Sequence, residues 1–206
     1  SYVDNLTIDH TNTFLNTTQG IAIVAGSGNT IRNVNINGTG SNHGIYMYTT
    51  SNNLIYNITA RNRATPMYLQ FIVNYNNITD NDFSFATTTS STQGAITFQC
   101  GVLGNEVCRY NNMTHNNLSY SQSYAMYMSY GINNTFLKNI ITNTLNGIFL
   151  SVSDNNTLKE GILKNVTTGI SLSSSTKNNI FNFTIINTTS GISIVSNSAN
   201  NTFTNN

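Results

Sequence analysis

Seven carboxylates, three histidines and two cysteines are the groups from which this 206-residue chain could build acid–base, nucleophilic or metal chemistry. Paired acids that cleave a glycosidic bond must stand roughly 5 to 9.5 Å apart. Asp4 and Asp9 lie near the start, and Asp154 and Glu160 flank a turn at Asn156, where solvated positions are expected. Only the centre of the chain gathers more. Asp80 and Asp82 alternate onto one face, Arg61 and Arg63 do the same one repeat earlier, and Glu106, Arg109 and His115 follow one repeat later. The cluster reads either as carboxylates and guanidinium groups beside a cleft or as exposed ion pairs between neighbouring repeats, which contribute little. His10, His43 and His115 share no ligand spacing with one another or with the cysteines, so no metal or other cofactor is expected. No Ser-His-Asp order, phosphate-binding glycine loop or Cys-His pair is convincing. Cys100 and Cys108 enclose seven residues that include Gly101 and Gly104. A disulfide is the leading expectation for a secreted chain, and a buried reduced pair is the alternative.

The elements that must position these groups come from an internal repeat. Gly147-Ile148-Phe149-Leu150, Gly169-Ile170-Ser171-Leu172 and Gly191-Ile192-Ser193-Ile194 recur at a 22-residue step. Asn143, Asn165 and Asn187 precede these glycines, and Asn134, Asn156, Asn178 and Asn200 keep the same step. Gly20-Ile21-Ala22-Ile23 and Gly44-Ile45-Tyr46-Met47 repeat the motif 24 residues apart. Between residues 65 and 122 the units lengthen, which implies inserted loops. Each unit holds short period-two stretches broken by Asn, Gly, Ser and Thr, the pattern of short strands joined by turns. So short a unit cannot bury its own apolar face, and units must stack in parallel at ~4.8 Å per coil. Stacking places equivalent asparagines one above another, where their amides can hydrogen-bond in ladders. The expectation is a single all-β domain over residues 1–206: a right-handed parallel β-helix, or solenoid, of about eight coils, with 22 to 24 residues in each regular coil.

Composition agrees. Asn, Thr and Ser number 38, 30 and 21, poor helix formers and good turn or strand residues. Charged residues are 7% and the net charge is +1, which excludes a basic nucleic-acid groove and a polybasic membrane patch. No apolar run reaches the ~18 residues of a membrane span. Thirteen glycosylation sequons occur, at Asn5, Asn16, Asn37, Asn57, Asn77, Asn112, Asn117, Asn133, Asn155, Asn165, Asn182, Asn187 and Asn200. Composition alone would give about nine.

The Asn-Asn-Thr-Phe/Leu/Ile and Asn-x-x-x-Gly-Ile-x-Leu units resemble the repeats of the pectin-lyase-like superfamily, above all the Asn-rich NosD-type repeats of surface proteins. The resemblance implies the fold over nearly the whole chain. Its members include polysaccharide lyases, hydrolases and epimerases, adhesins and surface-layer or filament proteins, so it leaves function open.

In the strand after each glycine the residue between the inward pair points outward: Ala22, Tyr46, Tyr68, Thr97, Tyr127, Phe149, Ser171 and Ser193 in turn, with Tyr48 beside Tyr46. These rings form an expected stripe on the central coils that can stack sugars, meet another protein, or lie under the inserted loops. The chain lacks an initiator Met and begins and ends in mid-repeat, which suggests a segment of a longer solenoid or subunits stacked head to tail. The expected function is a structural, self-associating subunit of an extracellular, N-glycosylated filament or cell-surface layer. A polysaccharide-active enzyme and a glycan-binding adhesin are the alternatives.

Overall fold

The computed structural model describes residues 4–9, 13–15, 17, 19–39, 42–101 and 107–206. Their regular structure is entirely β, and every strand pairing is parallel. Nine short strands, Thr7–Ile8, Thr30–Arg32, Leu54–Tyr56, Asn77–Thr79, Asn112–Thr114, Thr135–Leu137, Thr157–Lys159, Asn179–Phe181 and Thr202–Thr204, pair in chain order as the rungs of one sheet. Nine rungs make about eight turns of a β-solenoid. A second sheet carries the longer strands, among them His43–Ser51, Thr65–Asn74, Gly94–Gln99, Tyr124–Ser129, Ile140–Ser151, Ile162–Ser173 and Thr184–Val195.

Side chains of like type stack because rungs repeat in register. Ile31, Ile55, Ile78, Met113, Phe136, Leu158, Ile180 and Phe203 form one interior column. Ile45, Met67, Ile96, Met126, Ile148, Ile170 and Ile192 form another, facing the first across the core. The glycine of the Gly-Ile motif is required where the long strand crosses close above the next coil. A Cβ at Gly147 would stand 2.2 Å from the Gly169 carbonyl oxygen, inside any allowed contact.

Among the described residues a full coil turns four corners, and at each the backbone is left-handed. In the regular coils Val152, Ser174 and Ser196 hold the first corner, Asn133, Asn155, Lys177 and Asn200 the second, Lys138, Glu160 and Asn182 the third, and Asn143, Asn165 and Asn187 the fourth. Left-handed backbone is costly for most L-residues and least so for Gly, Asn and Asp, which accounts for much of the asparagine excess.

The ladder steps along the chain are 24, 23, 35, 23, 22, 22 and 23 residues. The 35-residue coil holds both insertions. One runs between the corner at Phe85 and the strand that starts at Gly94; the other is the segment closed by a Cys100–Cys108 disulfide with a Cα–Cα distance of 5.6 Å.

Candidate functional site

The outward row on the long sheet has the register expected of it. Tyr46 pairs with Tyr68, Tyr68 with Thr97, Thr97 with Tyr127, Tyr127 with Phe149, and Phe149 with Ser171. The rings do not form one continuous stripe, because Thr97 is fully buried between two clusters. In the first cluster His43 stacks on Tyr68 at 4.2 Å, Tyr46 lies 6.0 Å from Tyr68, and Tyr48 tilts against Phe71 at 4.9 Å. Tyr68 is only 5% exposed and its hydroxyl meets Gln99. Burial, helped by Tyr46, pushes the Tyr68 phenol up to about 12. In the second cluster Tyr124, Tyr127 and Phe149 lie 5.5 to 5.7 Å apart and stay partly exposed. Beyond Phe149 the row continues as serine, and a shallow pocket of about 100 Å³ opens there, bounded by Phe149, Tyr124, Asn146, Thr168 and Ser171. The period-two pattern concealed His43 and Tyr124, which stand at the strand ends rather than between inward pairs.

The central polar residues separate into ion pairs between neighbouring coils, Arg61 with Asp82 and Asp80 with His115. Asp80 and Asp82 do not share a face: Asp80 occupies a left-handed third corner, and the chain turns before Asp82. Asp80 faces His115 Nδ1 at 3.7 Å, with both side chains about half exposed. Asp82 is tied to Arg61, whose Nε donates to Oδ2 at 2.7 Å. Its Oδ1 accepts from Ser84 N and Asn117 Nδ2. Burial raises the Asp82 pKa, but the hydrogen bonds from Arg61 and Ser84 overcome it, and the net direction is down. Arg63, expected beside Arg61, points inward instead and is fully buried. Its Nη1 donates to the Thr17 carbonyl at 2.5 Å and its Nη2 to Thr17 Oγ1 and the His43 carbonyl. Arg109 ends the short strand just before the second corner at Tyr110, its backbone N–H donating to Asn74 Oδ1. Glu106 lies outside the described residues. Asp80 and Asp82 are thus each engaged by a basic side chain of a neighbouring coil.

One interior amide ladder runs through Asn29, Asn53, Asn76, Asn111, Asn134, Asn156, Asn178 and Asn201. Its last member corrects the expectation: Asn201 joins it, and Asn200 does not. The final step is 23 residues, so the 22-residue count falls one short, onto the exposed corner Asn200. A second interior ladder, Asn81–Asn116–Asn139, went unseen in the sequence. Asn143, Asn165 and Asn187 form an exposed ladder, with amide contacts of 2.8 and 3.2 Å.

Asn16 lies outside the described residues, and most of the other sequon asparagines are exposed. Asn5, Asn57, Asn133, Asn155, Asn165, Asn182, Asn187 and Asn200 all sit at left-handed corners. The next residue turns inward and the Thr after it outward, so the sequon pattern is also what the corner geometry produces.

Soft metal donors do not converge among the described residues. Both described cysteines are in the disulfide, and Met47, Met67, Met113, Met126 and Met128 are buried in the core. Among the described residues no group of three His, Cys, Asp or Glu side chains could hold a metal ion.

Aromatic rings also occupy corners, a feature missed in the sequence. Tyr75 and Tyr110 hold the second corner of successive coils and stack at 4.9 Å; Phe85 and Tyr120 hold the fourth and stack at 4.7 Å. They are 56, 45, 41 and 46% exposed. The signal was present: Tyr75-Asn76 and Tyr110-Asn111 stand where other coils have Asn52-Asn53 and Asn133-Asn134.

No curated protein matches the chain. A family model described as periplasmic copper-binding protein (NosD) matches residues 103–206, half of the sequence. Those residues hold the most regular coils, and their ladder and core columns continue through the coils before them. The chain belongs to the NosD family of parallel β-helix proteins.

Proposed function

We propose that this chain is a structural, non-catalytic rod of the cell envelope that works outside the cytoplasm and packs with its own kind into a filament or layer. The observation that carries this reading is the unbroken interior ladder from Asn29 to Asn201. It stiffens the rod along its length, while the outward surface is mostly neutral Asn, Thr and Ser. The disulfide favours an oxidising compartment, and the family description names the periplasm. Among the described residues no helix is long and apolar enough to cross a membrane. The exposed sequons are compatible with N-glycans, which would add the solubility that charge does not.

The family description also names copper, and the described donor set does not fit it. Copper sites draw on converging imidazole, thiolate or thioether groups. In the matched segment the one imidazole is His115, with Lys138 at the same corner of the next coil. The described thioethers there, Met113, Met126 and Met128, are buried.

Electron microscopy of the chain at rising concentration tests the assembly reading. Rods or sheets are expected, and single particles throughout would sink it. A glycan-binding adhesin is the second reading, favoured by the opening beside Phe149, where a ring face meets Asn146, Thr168 and Ser171. Binding on a glycan array that disappears in Tyr127→Ala/Phe149→Ala would support it, and an array without signal would remove it.

A further inference from the structure

The corner rings are unfavourable for a solitary rod. The second corner is held by Asn5, Gly28 and Asn52 before Tyr75 and Tyr110, and by Asn133 and Asn155 after them. The fourth is held by Asn62 before Phe85 and Tyr120, and by Asn143 and Asn165 after them. The local fold therefore accepts asparagine at both corners. A Tyr or Phe there adds left-handed strain and leaves an apolar ring in water. Stacking within each pair recovers only part of this.

What the pairs present also limits the partner. One face of each ring lies on its stacking mate, so each pair has only its outer faces, its rims and the tyrosine hydroxyls to offer a partner. A sugar stacks on an open ring face. Apolar rims with hydroxyls instead suit a protein surface.

The matching surface is on the same chain. Phe85 follows Tyr75 by ten residues and Tyr120 follows Tyr110 by ten, so both pairs span the same two coils. In a regular coil the second and fourth corners are ten residues apart one way round and twelve the other, as from Asn133 to Asn143 to Asn155, which places them on opposite sides. The two stacks have nearly equal pitch, 4.9 and 4.7 Å. A net charge of +1 leaves little repulsion between copies.

We propose that copies of this chain dock side by side, the Tyr75/Tyr110 corner of one rod against the Phe85/Tyr120 corner of the next. The proposal rests on the assembly reading above and names its interface. Because the half-sites differ and lie on opposite sides, the contact is heterologous and does not close, so it propagates as a row of rods.

The test uses two variants of the whole chain, Tyr75→Asn/Tyr110→Asn and Phe85→Asn/Tyr120→Asn, each installing the residue that neighbouring corners already hold. Unchanged circular dichroism checks their fold. Light scattering should show large particles for the unmodified chain, monomers for each variant alone, and dimers when the variants are mixed, since one intact half-site remains on each. Particles undiminished in either variant would overturn the interface and leave self-assembly standing. An unmodified chain that stays monomeric would overturn both. A monomer that loses capture on an insoluble polysaccharide in Tyr75→Asn/Tyr110→Asn would assign the rings to a glycan and overturn the proposal.

Discussion

The side-chain oxygen of Asn178 accepts two hydrogen bonds from Asn156, one from its backbone N–H at 2.9 Å and one from its Nδ2 at 3.1 Å. Asn156 Nδ2 also reaches the Gly131 carbonyl at 2.9 Å, so a single side chain ties together three coils. The same arrangement recurs down the interior ladder, and it explains how a buried column of amides is tolerated. Each donor and acceptor meets the coil above or below, and no charge accumulates.

Asn156→Ala removes the acceptor for the buried Asn134 N–H and amide, as well as a donor. A loss of about 2–4 kcal/mol is expected, because buried polar groups are left without partners. Asn165→Gly, on the exposed ladder, removes the side chain but keeps the left-handed corner, and should fall within ~0.5 kcal/mol of the unmodified chain. Urea unfolding of the two variants checks the contrast, and equal losses would mean that the interior ladder has no special weight.

The glycine column offers a second contrast. Gly147→Ala drives a methyl against the Gly169 carbonyl oxygen, whereas at Gly191 the nearest atom to an added Cβ is Thr188 Oγ1 at 4.0 Å. Gly147→Ala should cost about 1–3 kcal/mol by overpacking, and Gly191→Ala close to nothing. Thermal melts of both variants decide it.

Acid should weaken the early coils through His43. Burial, reinforced by the Arg63 charge, lowers its pKa to about 4, and its Nδ1 has no hydrogen-bond partner. The unfolded imidazole titrates near 6.5. Between pH 6.5 and 4 the unfolded chain therefore binds more protons, and stability present above pH 6.5 is lost as pH falls through that window. The Tm of the unmodified chain should drop across it, and His43→Gln should flatten the slope. An unchanged slope in the variant would assign the loss to another group.

The regular coils were legible because their period is constant. Gly147, Gly169 and Gly191 set the step, and the outward row from Ala22 to Ser193 follows from it. Asn201 was missed by one residue because the last step lengthens to 23, and Asn29, Asn53, Asn76 and Asn111 because theirs vary from 23 to 35. Alternation also fails at corners. It placed Asp80 and Asp82 together and sent Arg63 outward, although a left-handed residue at Asp80 turns the chain between the two acids and Arg63 follows the corner at Asn62. Tyr75 and Tyr110 escaped notice because outward rings were sought on strands, while these stand where asparagine marks a turn.

Sedimentation equilibrium of the unmodified chain across a wide concentration range tests the assembly claim most directly. An open side-to-side contact predicts a weight-average mass that keeps rising with concentration and reaches no plateau. A mass fixed at the monomer value of 22.6 kDa, or levelling at a dimer, would contradict it.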